Sequence, residues 1–408
     1  MSWPKVRLKD ICDLQNGYAF KSSDYVDDSN TLSCRMSNIR PGGVFDIDYN
    51  ARYLPDDFAE KYSQFLLKDG DVIIAMTDLA DAPKILGVPT VVETEGRNVL
   101  LNQRVGKLVI KDSQRVHFPY LKLALNYPKV RSVYKRFAGG GLQINLGKND
   151  LLSVEIPLPP LGEQKRIAAI LDKADTIRRK RQQATQLADD FLRSVFLDMF
   201  GDPKTKGWGI TTVEKVAEST KGSMRTGPFG SQLLHSEFVE KGIAVLGIDN
   251  AVENKFKWGK QRFITEEKYQ QLKRYTVKPD DVIITIMGTC GRCAVVPEDI
   301  PTSINTKHIC CITLDKDKCL SSFLHSYFLY HPDCQKYLAT NTKGAIMAGL
   351  NMGIVKGIPV PLVPLNLQVK YDSMARRLNG LSKELSEHKE SGNSLFNSLS
   401  QKAFAGEL

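Results

Sequence analysis

Short apolar runs rich in β-branched residues punctuate most of the chain, separated by polar segments carrying Gly, Pro, Asp or Asn. Val72–Met76, Leu108–Ile110, Val282–Met287 and Ile309–Thr313 are such runs, and their bounding turn residues predict strands. Longer mixed runs near Tyr120–Asn126 and Phe323–Tyr330 predict short helices. The expected product is a pair of mixed α/β globules.

Two stretches break this rhythm. From Gln164 to Phe200 there is neither proline nor glycine, and apolar residues recur at Ile167, Ile170, Ala174, Ile177, Ala184, Ala188, Phe191 and Val195. The second stretch has its beat at Met374, Leu378, Leu381, Leu385, His388, Gly392, Leu395 and Leu399. Spacings of three and four sustained over several heptads predict a helix–helix seam. The first helix spans about 55 Å at 1.5 Å per residue. Proline limits both starts, at Ile156-Pro-Leu-Pro-Pro160 and Ile358-Pro-Val-Pro361, because it lacks the amide donor and disfavours helix in the residue before it. Gly201-Asp-Pro203 stops the first helix. Paired antiparallel, the two helices would carry a globule at each end. Arg181, mid-seam on one helix, would then approach His388, with Glu384 and Glu387 in reach. That polar layer either sets helix register or lets Arg181 extend past its stem to solvent.

The chain is written twice. Trp3-Pro-Lys-Val-Arg-Leu-Lys-Asp-Ile11 resembles Trp208-Gly-Ile-Thr-Thr-Val-Glu-Lys-Val216, and Gly17-Tyr-Ala-Phe-Lys-Ser22 resembles Gly227-Pro-Phe-Gly-Ser231. Asp69-Gly-Asp-Val-Ile-Ile-Ala-Met76 matches Pro279-Asp-Asp-Val-Ile-Ile-Thr-Ile286, and Asn102-Gln-Arg104 matches Asn305-Thr-Lys307. Gly140-Gly-Leu-Gln-Ile-Asn145 loosely matches Ala348-Gly-Leu-Asn351, and the proline segments close the series. The offsets stay between 202 and 210, so the order is collinear and argues a tandem duplication. The expected divisions are 1–160 and 203–365 for the globules, with helices over 161–202 and 366–408.

Composition narrows the function. The chain has 408 residues, 42% hydrophobic and 25% charged, with a formal net charge of +10. No run approaches a membrane span, and the start lacks a signal-peptide core. A cytoplasmic protein is expected. The basic surplus suits a polyanionic partner. The eight cysteines do not make a disulfide scaffold. Cys290-Gly-Arg-Cys293 could pair with Cys310-Cys311 only if adjacent strand residues faced one ion. Strand alternation sends them to opposite faces, so no metal is expected.

Catalytic signatures are missing. Gly141–Asn149 has the wrong glycine spacing for a phosphate loop and lacks the Ser or Thr after its lysine. Phe137–Gly141 reads as a turn. There is no HExxH, no Gly-x-Ser-x-Gly, no Asn/Asp-Pro-Pro-Tyr and no nuclease Asp/Glu-x-Lys; the acids near Pro279-Asp-Asp281 read as a turn. Recognition is what remains. Arg35, Asn38, Arg40, Lys84, Arg97, Asn102, Gln103 and Arg104 fall in expected loops of the first repeat. Arg225, Ser231, Gln232, Thr289, Arg292, Asn305, Lys307 and Lys343 fall in those of the second. Such side chains read guanine or adenine edges, or hold phosphates.

Together these motifs resemble the specificity subunits of type I restriction–modification systems. The resemblance covers nearly the whole chain. It rests on the Gly17 and Gly227 motifs, Asp69–Ile74, Gly288-Thr-Cys-Gly-Arg292 and Ile156–Pro160. It rests most specifically on Glu163-Gln-Lys-Arg-Ile-Ala168 with Ile170-Leu-Asp172, on Phe196-Leu-Asp-Met-Phe-Gly-Asp-Pro203, and on Gln401-Lys-Ala-Phe-Ala-Gly-Glu-Leu408. Two departures stand out: Cys290 and Cys293 flank Gly291-Arg292, and the second helix opens Asn366-Leu-Gln368 instead of Glu-Gln. The resemblance implies two target recognition domains in an α+β fold, separated by an antiparallel coiled coil, each reading one half of a split site in double-stranded DNA. It implies docking of two methyltransferase subunits and of restriction/translocase subunits. S-adenosylmethionine, ATP and magnesium are expected on those partners and no cofactor on this chain. A related system with one fused methyltransferase–nuclease partner, or a protein-binding coiled-coil scaffold, are the alternatives.

Overall fold

The computed structural model describes residues 3–80, 83–137, 142–342 and 349–408. The chain divides into two units: residues 1–180 with 389–408, and residues 181–388.

In the first unit, one sheet runs Pro89–Val91, Val72–Ala75, Val105–Ile110, Cys12–Asn16, antiparallel throughout. A second sheet runs Tyr53–Leu54, Thr31–Cys34, Asn98–Leu101, Leu66–Leu67, in which Thr31–Cys34 and Asn98–Leu101 are parallel. The second unit repeats the plan. Met224–Thr226, Ile309–Ile312, Val282–Thr285 and Cys293–Val295 form the antiparallel sheet. Phe263–Ile264, Ile243–Leu246 and Ser303–Asn305 form the other, again with one parallel pair. A short antiparallel pair joins the start of each repeat to its proline segment: Lys5–Arg7 with Glu155–Pro157, and Ile210–Thr212 with Pro359–Pro361.

The expected strands are present, and their continuous apolar character has a physical reason. Val72, Ile74 and Leu108 face a core shared with helices, while Ile73, Ala75 and Val105 face the other sheet. The second unit splits Val282, Ile284, Cys310 and Ile312 from Ile283, Cys311 and Ile309 in the same way. Both faces are covered, so a 2.0-residue alternation sends apolar side chains to two cores. Cys310 and Cys311 therefore point apart: Cys310 Sγ meets Met352, and Cys311 Sγ donates to Asp281 Oδ2 at 3.0 Å. Burial pushes the Cys310 thiol up to about 12, which leaves it inert. Among the described residues no cluster of His, Cys, Asp or Glu is placed to hold a metal ion.

The short helices are Phe118–Asn126 and Ser321–Tyr330. Each is followed by a helix that the periodicity did not predict, Pro128–Tyr134 and Pro332–Thr342. A proline opens each one, where its missing N–H costs nothing.

The long helices are Leu161–Phe200 and Leu365–Ala405. Ile167, Ala168 and Leu171 of the first share a core with Ala403 and Phe404 of the second. Leu192, Phe196 and Phe200 share the other core with Tyr371 and Ala375. Within the first unit, Arg166 donates to the Leu408 carbonyl and Arg178 lies over the Phe396 ring, 5.4 Å from its centroid. One number rises as the other falls, so the helices run antiparallel. The seam is narrower than expected. Ile177, Phe191, Leu381 and Leu395 are 45–58% exposed. Their apolar beat is real, but each helix turns its most buried face to a globule, and part of the beat is left outward.

Both helices start on the same device. Gln164 is fully buried: its Oε1 accepts the His117 N–H at 2.8 Å, and its Nε2 donates to the carbonyls of Arg115 and Pro159 at 2.9 and 2.8 Å. Gln368 accepts the Leu320 N–H at 2.9 Å and donates to the carbonyls of Lys318 and Val363 at 3.1 and 2.9 Å. The apparent departure at Asn366-Leu-Gln368 therefore leaves the start of the second helix equivalent to the first. Tyr120 and Tyr327 hydroxyls reinforce it, each donating at 2.7 Å to the carbonyl of Pro157 or Pro359.

Gln164→Ala leaves the His117 N–H and the carbonyls of Arg115 and Pro159 without this partner. It is expected to lower the unfolding free energy by about 2–4 kcal/mol, read by urea denaturation. An unchanged midpoint would show that the amide does not anchor the helix.

Candidate nucleic-acid interface

The recognition residues split into groups that the structure treats differently. Asn38 is a loop staple. Its Oδ1 accepts the Arg35 N–H at 2.8 Å, and its Nδ2 donates to the carbonyls of Asp46 and Ile47. Asn250 does the same in the second unit, accepting from the Gly247 N–H at 2.8 Å and donating to the Lys257 carbonyl. Asn102 and Asn305 are also buried. Asn102 Nδ2 reaches the Ser33 and Tyr25 hydroxyls, and Asn305 Nδ2 donates to the Ile309 carbonyl.

The backbones at these two asparagines explain the paired glycines. A Cβ on Gly17 would collide with the Asn102 carbonyl oxygen, and one on Gly227 with that of Asn305. Only glycine permits the approach. The asparagines and glycines match between repeats for packing reasons.

Arg225 is likewise turned inward. Its guanidinium bonds Asp281 Oδ2 at 2.5 Å, Thr313 Oγ1 at 2.9 Å and the carbonyls of Thr276 and Gly222. Asp281, at the strand entrance, is 1% exposed. In the first unit the matching Asp71 pairs instead with Lys107 at 2.7 Å, a residue of the neighbouring strand at the position of Cys311. An acid at the strand entrance thus takes its cation from a different strand in each repeat. Breaking such a buried pair costs about 3–5 kcal/mol, so Arg225 is committed to the fold.

What stays outward is smaller. In the first unit Arg35, Ser37, Asn50, Arg52 and Arg104 line a concavity of about 440 Å³. Gln103 is exposed beside Arg104, on the turn into Val105–Ile110. Asn50 adopts φ +51°, which asparagine tolerates better than most residues. Among the described residues, no carboxylate lies within ion-pair distance of Arg35, Arg52 or Arg104. Arg52 is the residue that sequence reasoning missed; its signal was its place in the repeat, opposite Arg262. Arg40 is half-buried, with its guanidinium 3.5 Å from the Tyr49 ring centroid. Arg97 is held by Asp48 at 2.8 Å and Glu95 at 3.1 Å. Lys84 is exposed, and its carbonyl accepts from Arg131.

In the second unit the Ile286 N–H donates to the His308 carbonyl, bringing the turn that holds exposed Thr289 and Arg292 to half-buried Lys307. Gly288 and Gly291 take φ +72° and +78° in that turn, a region open to glycine. Burial and the charge of Lys307 lower the pKa of His308, so it is neutral at pH 7. Ser231 and Gln232 are exposed, and Gln232 Oε1 accepts from Tyr275 and Arg274. Lys343 lies outside the described residues. On the helices, Arg181 is half-buried and Glu384 exposed, while the His388 side chain lies outside the described residues.

Arg104→Ala is expected to weaken binding to duplex DNA without moving the melting temperature. Asn102→Ala should lower the melting temperature first. Equal melting loss in both would remove the distinction between reading and packing residues.

The comparisons agree with this organisation. The family model for the type I restriction modification DNA specificity domain matches residues 2–187 and 233–391. The chain is 24% identical over 442 residues to the type I restriction enzyme EcoBI specificity subunit of Escherichia coli, covering 100% of this chain and 86% of that one. It is 29% identical over 200 residues to the type I restriction enzyme MjaVIII specificity subunit of Methanocaldococcus jannaschii, covering 48% and 45%. The fold resembles the crystal structure of a type I restriction–modification S subunit from M. genitalium, with a TM-score of 0.64 at 15% identity, covering 99% and 96% of the two chains. The duplicated fold, the outward basic loops and the matched family model lead to one conclusion: the chain belongs to the family of type I restriction–modification DNA specificity subunits.

Proposed function

We propose that each globule reads one half of a bipartite double-stranded DNA site and that the two long helices set the gap between the halves. The observation that carries this reading is one backbone plan bearing two different sets of outward side chains. Arg35, Arg52, Gln103 and Arg104 mark the first globule; in the second Lys307 stands at the position of Arg104, with Thr289 and Arg292 on the neighbouring turn. Guanidinium and amide groups there can contact base edges or phosphates. The target recognition domains are assigned to 1–160 and 203–365, with the spacers at 161–202 and 366–408.

The helices also dock partners in this reading. Leu187 and Phe191, one turn apart, are 59% and 55% exposed. Outward apolar side chains at helical spacing suit a partner helix. We assign this role to two adenine methyltransferase subunits, joined by restriction/translocase subunits; those partners would bring S-adenosylmethionine, ATP and magnesium. A polar layer of Arg181, Glu384 and His388 would set the register of the spacer pair.

A genome-wide map of methylated adenines should show a split motif that disappears when the gene is deleted. Exchange of residues 1–155 for those of a relative should change one half of that motif alone. Persistence of the motif after deletion, or a change in both halves, would overturn independent reading. A four-residue insertion after Arg181 adds about 6 Å of helix and should lengthen the gap by about one or two base pairs. An unchanged gap with unchanged halves would remove the spacer role.

A further inference from the structure

The two globules differ most informatively at one pair of positions. Leu32 pairs with Tyr53 in the first unit as Ala244 pairs with Phe263 in the second. The Ser33 N–H donates to the Arg52 carbonyl, and the Val245 N–H to the Arg262 carbonyl, both at 2.9 Å. Arg52 and Arg262 are therefore the same position. The asparagine staples align Asn38 with Asn250, which makes Ser37 the counterpart of Asp249 and Arg35 that of Gly247.

In the second unit Asp249 closes this place. Its Oδ1 binds Arg262 Nη2 at 2.8 Å, and its Oδ2 accepts the Lys260 N–H at 2.6 Å. A Cβ on Gly247 would lie 2.6 Å from Arg262 Nη1 and 2.7 Å from Asp249 Oδ1, so the ion pair fills the space a side chain would need. In the first unit Arg35 stands at the position of Gly247, and among the described residues no carboxylate lies within ion-pair distance of Arg52. Ser37 Oγ is buried there without a partner. Arg35, Ser37, Arg52 and Arg104 line one concavity.

We propose that the residue at position 37 or 249 switches a phosphate site on or off: Ser37 leaves Arg35, Arg52 and Arg104 open to hold a DNA phosphodiester, and Asp249 locks Arg262 out of the same contact. This rests on the DNA-reading function above. Three uncompensated cations suit an anionic oxygen cluster. A guanine edge is neutral and is satisfied by one arginine. The first globule then grips the backbone at a place where the second does not.

The test uses the full chain and a mixed-sequence duplex over a salt series. The slope of log K against log salt changes by about 0.9 for each phosphate contact. Ser37→Asp and Arg52→Ala should each flatten the slope by about that amount, Arg52→Lys should keep it, and Asp249→Ser should steepen it. Melting curves matching the parent certify the fold of each variant, and Arg52→Ala stands in if Ser37→Asp fails to fold. Parental slopes in folded variants would overturn the switch while leaving DNA binding intact. A parental slope with a changed base preference at one half-site would assign the concavity to a base edge and overturn the phosphate site. Loss of all salt-dependent duplex binding by the parent would overturn the DNA-reading function, and the switch with it.

Discussion

A buried amide decides where each long helix begins. Gln164 and Gln368 sit one turn inside their helices, and each completes three hydrogen bonds to backbone from two separate loops. Such an amide has no alternative partner in an apolar surround, so its bonds allow one geometry. The prolines before it end the strand and exclude an earlier helical start. The amide then ties the first turn to the segment leading into Phe118–Asn126 or Ser321–Tyr330. Any function that depends on how a globule meets its helix depends on this joint.

The globule itself is held by close backbone approaches. Gly17 and Gly227 let one loop pass directly over the Asn102 and Asn305 carbonyls. Next to that crossing lies the turn carrying Arg104 or Lys307. The packing constraint and the recognition surface are thus adjacent in sequence but distinct in role: the asparagine is buried, while two positions on Arg104 is exposed and Lys307 half-buried. Duplication has kept the first group and let the second vary. The acid at the strand entrance shows the same freedom within the core, pairing with Lys107 in one repeat and Arg225 in the other.

Much of this was legible in the residues. The collinear motifs located both repeats, and the β-branched runs located the central strands. The adjacent cysteines were correctly sent to opposite faces, since strand alternation is local geometry. The burial of the asparagines was not legible, because a polar side chain in a loop looks available for DNA whether it bonds its own backbone or not. The inward turn of Arg225 was hidden for a related reason: its partner Asp281 is far away in sequence. The outward turn of Ile177, Phe191, Leu381 and Leu395 was also hidden, because periodicity identifies an apolar stripe but not which surface covers it.

The sequence by itself determined the duplication, the central strands, and the proline-limited starts of the long helices. Those follow from local steric rules and from the period of the hydrophobic pattern. The tertiary structure alone decided which polar residues are spent on the fold and which remain for a partner. That outcome depends on contacts between residues distant in the chain, such as Arg225 with Asp281 or Arg262 with Asp249, and no local pattern encodes which of two nearby cations an acid will take.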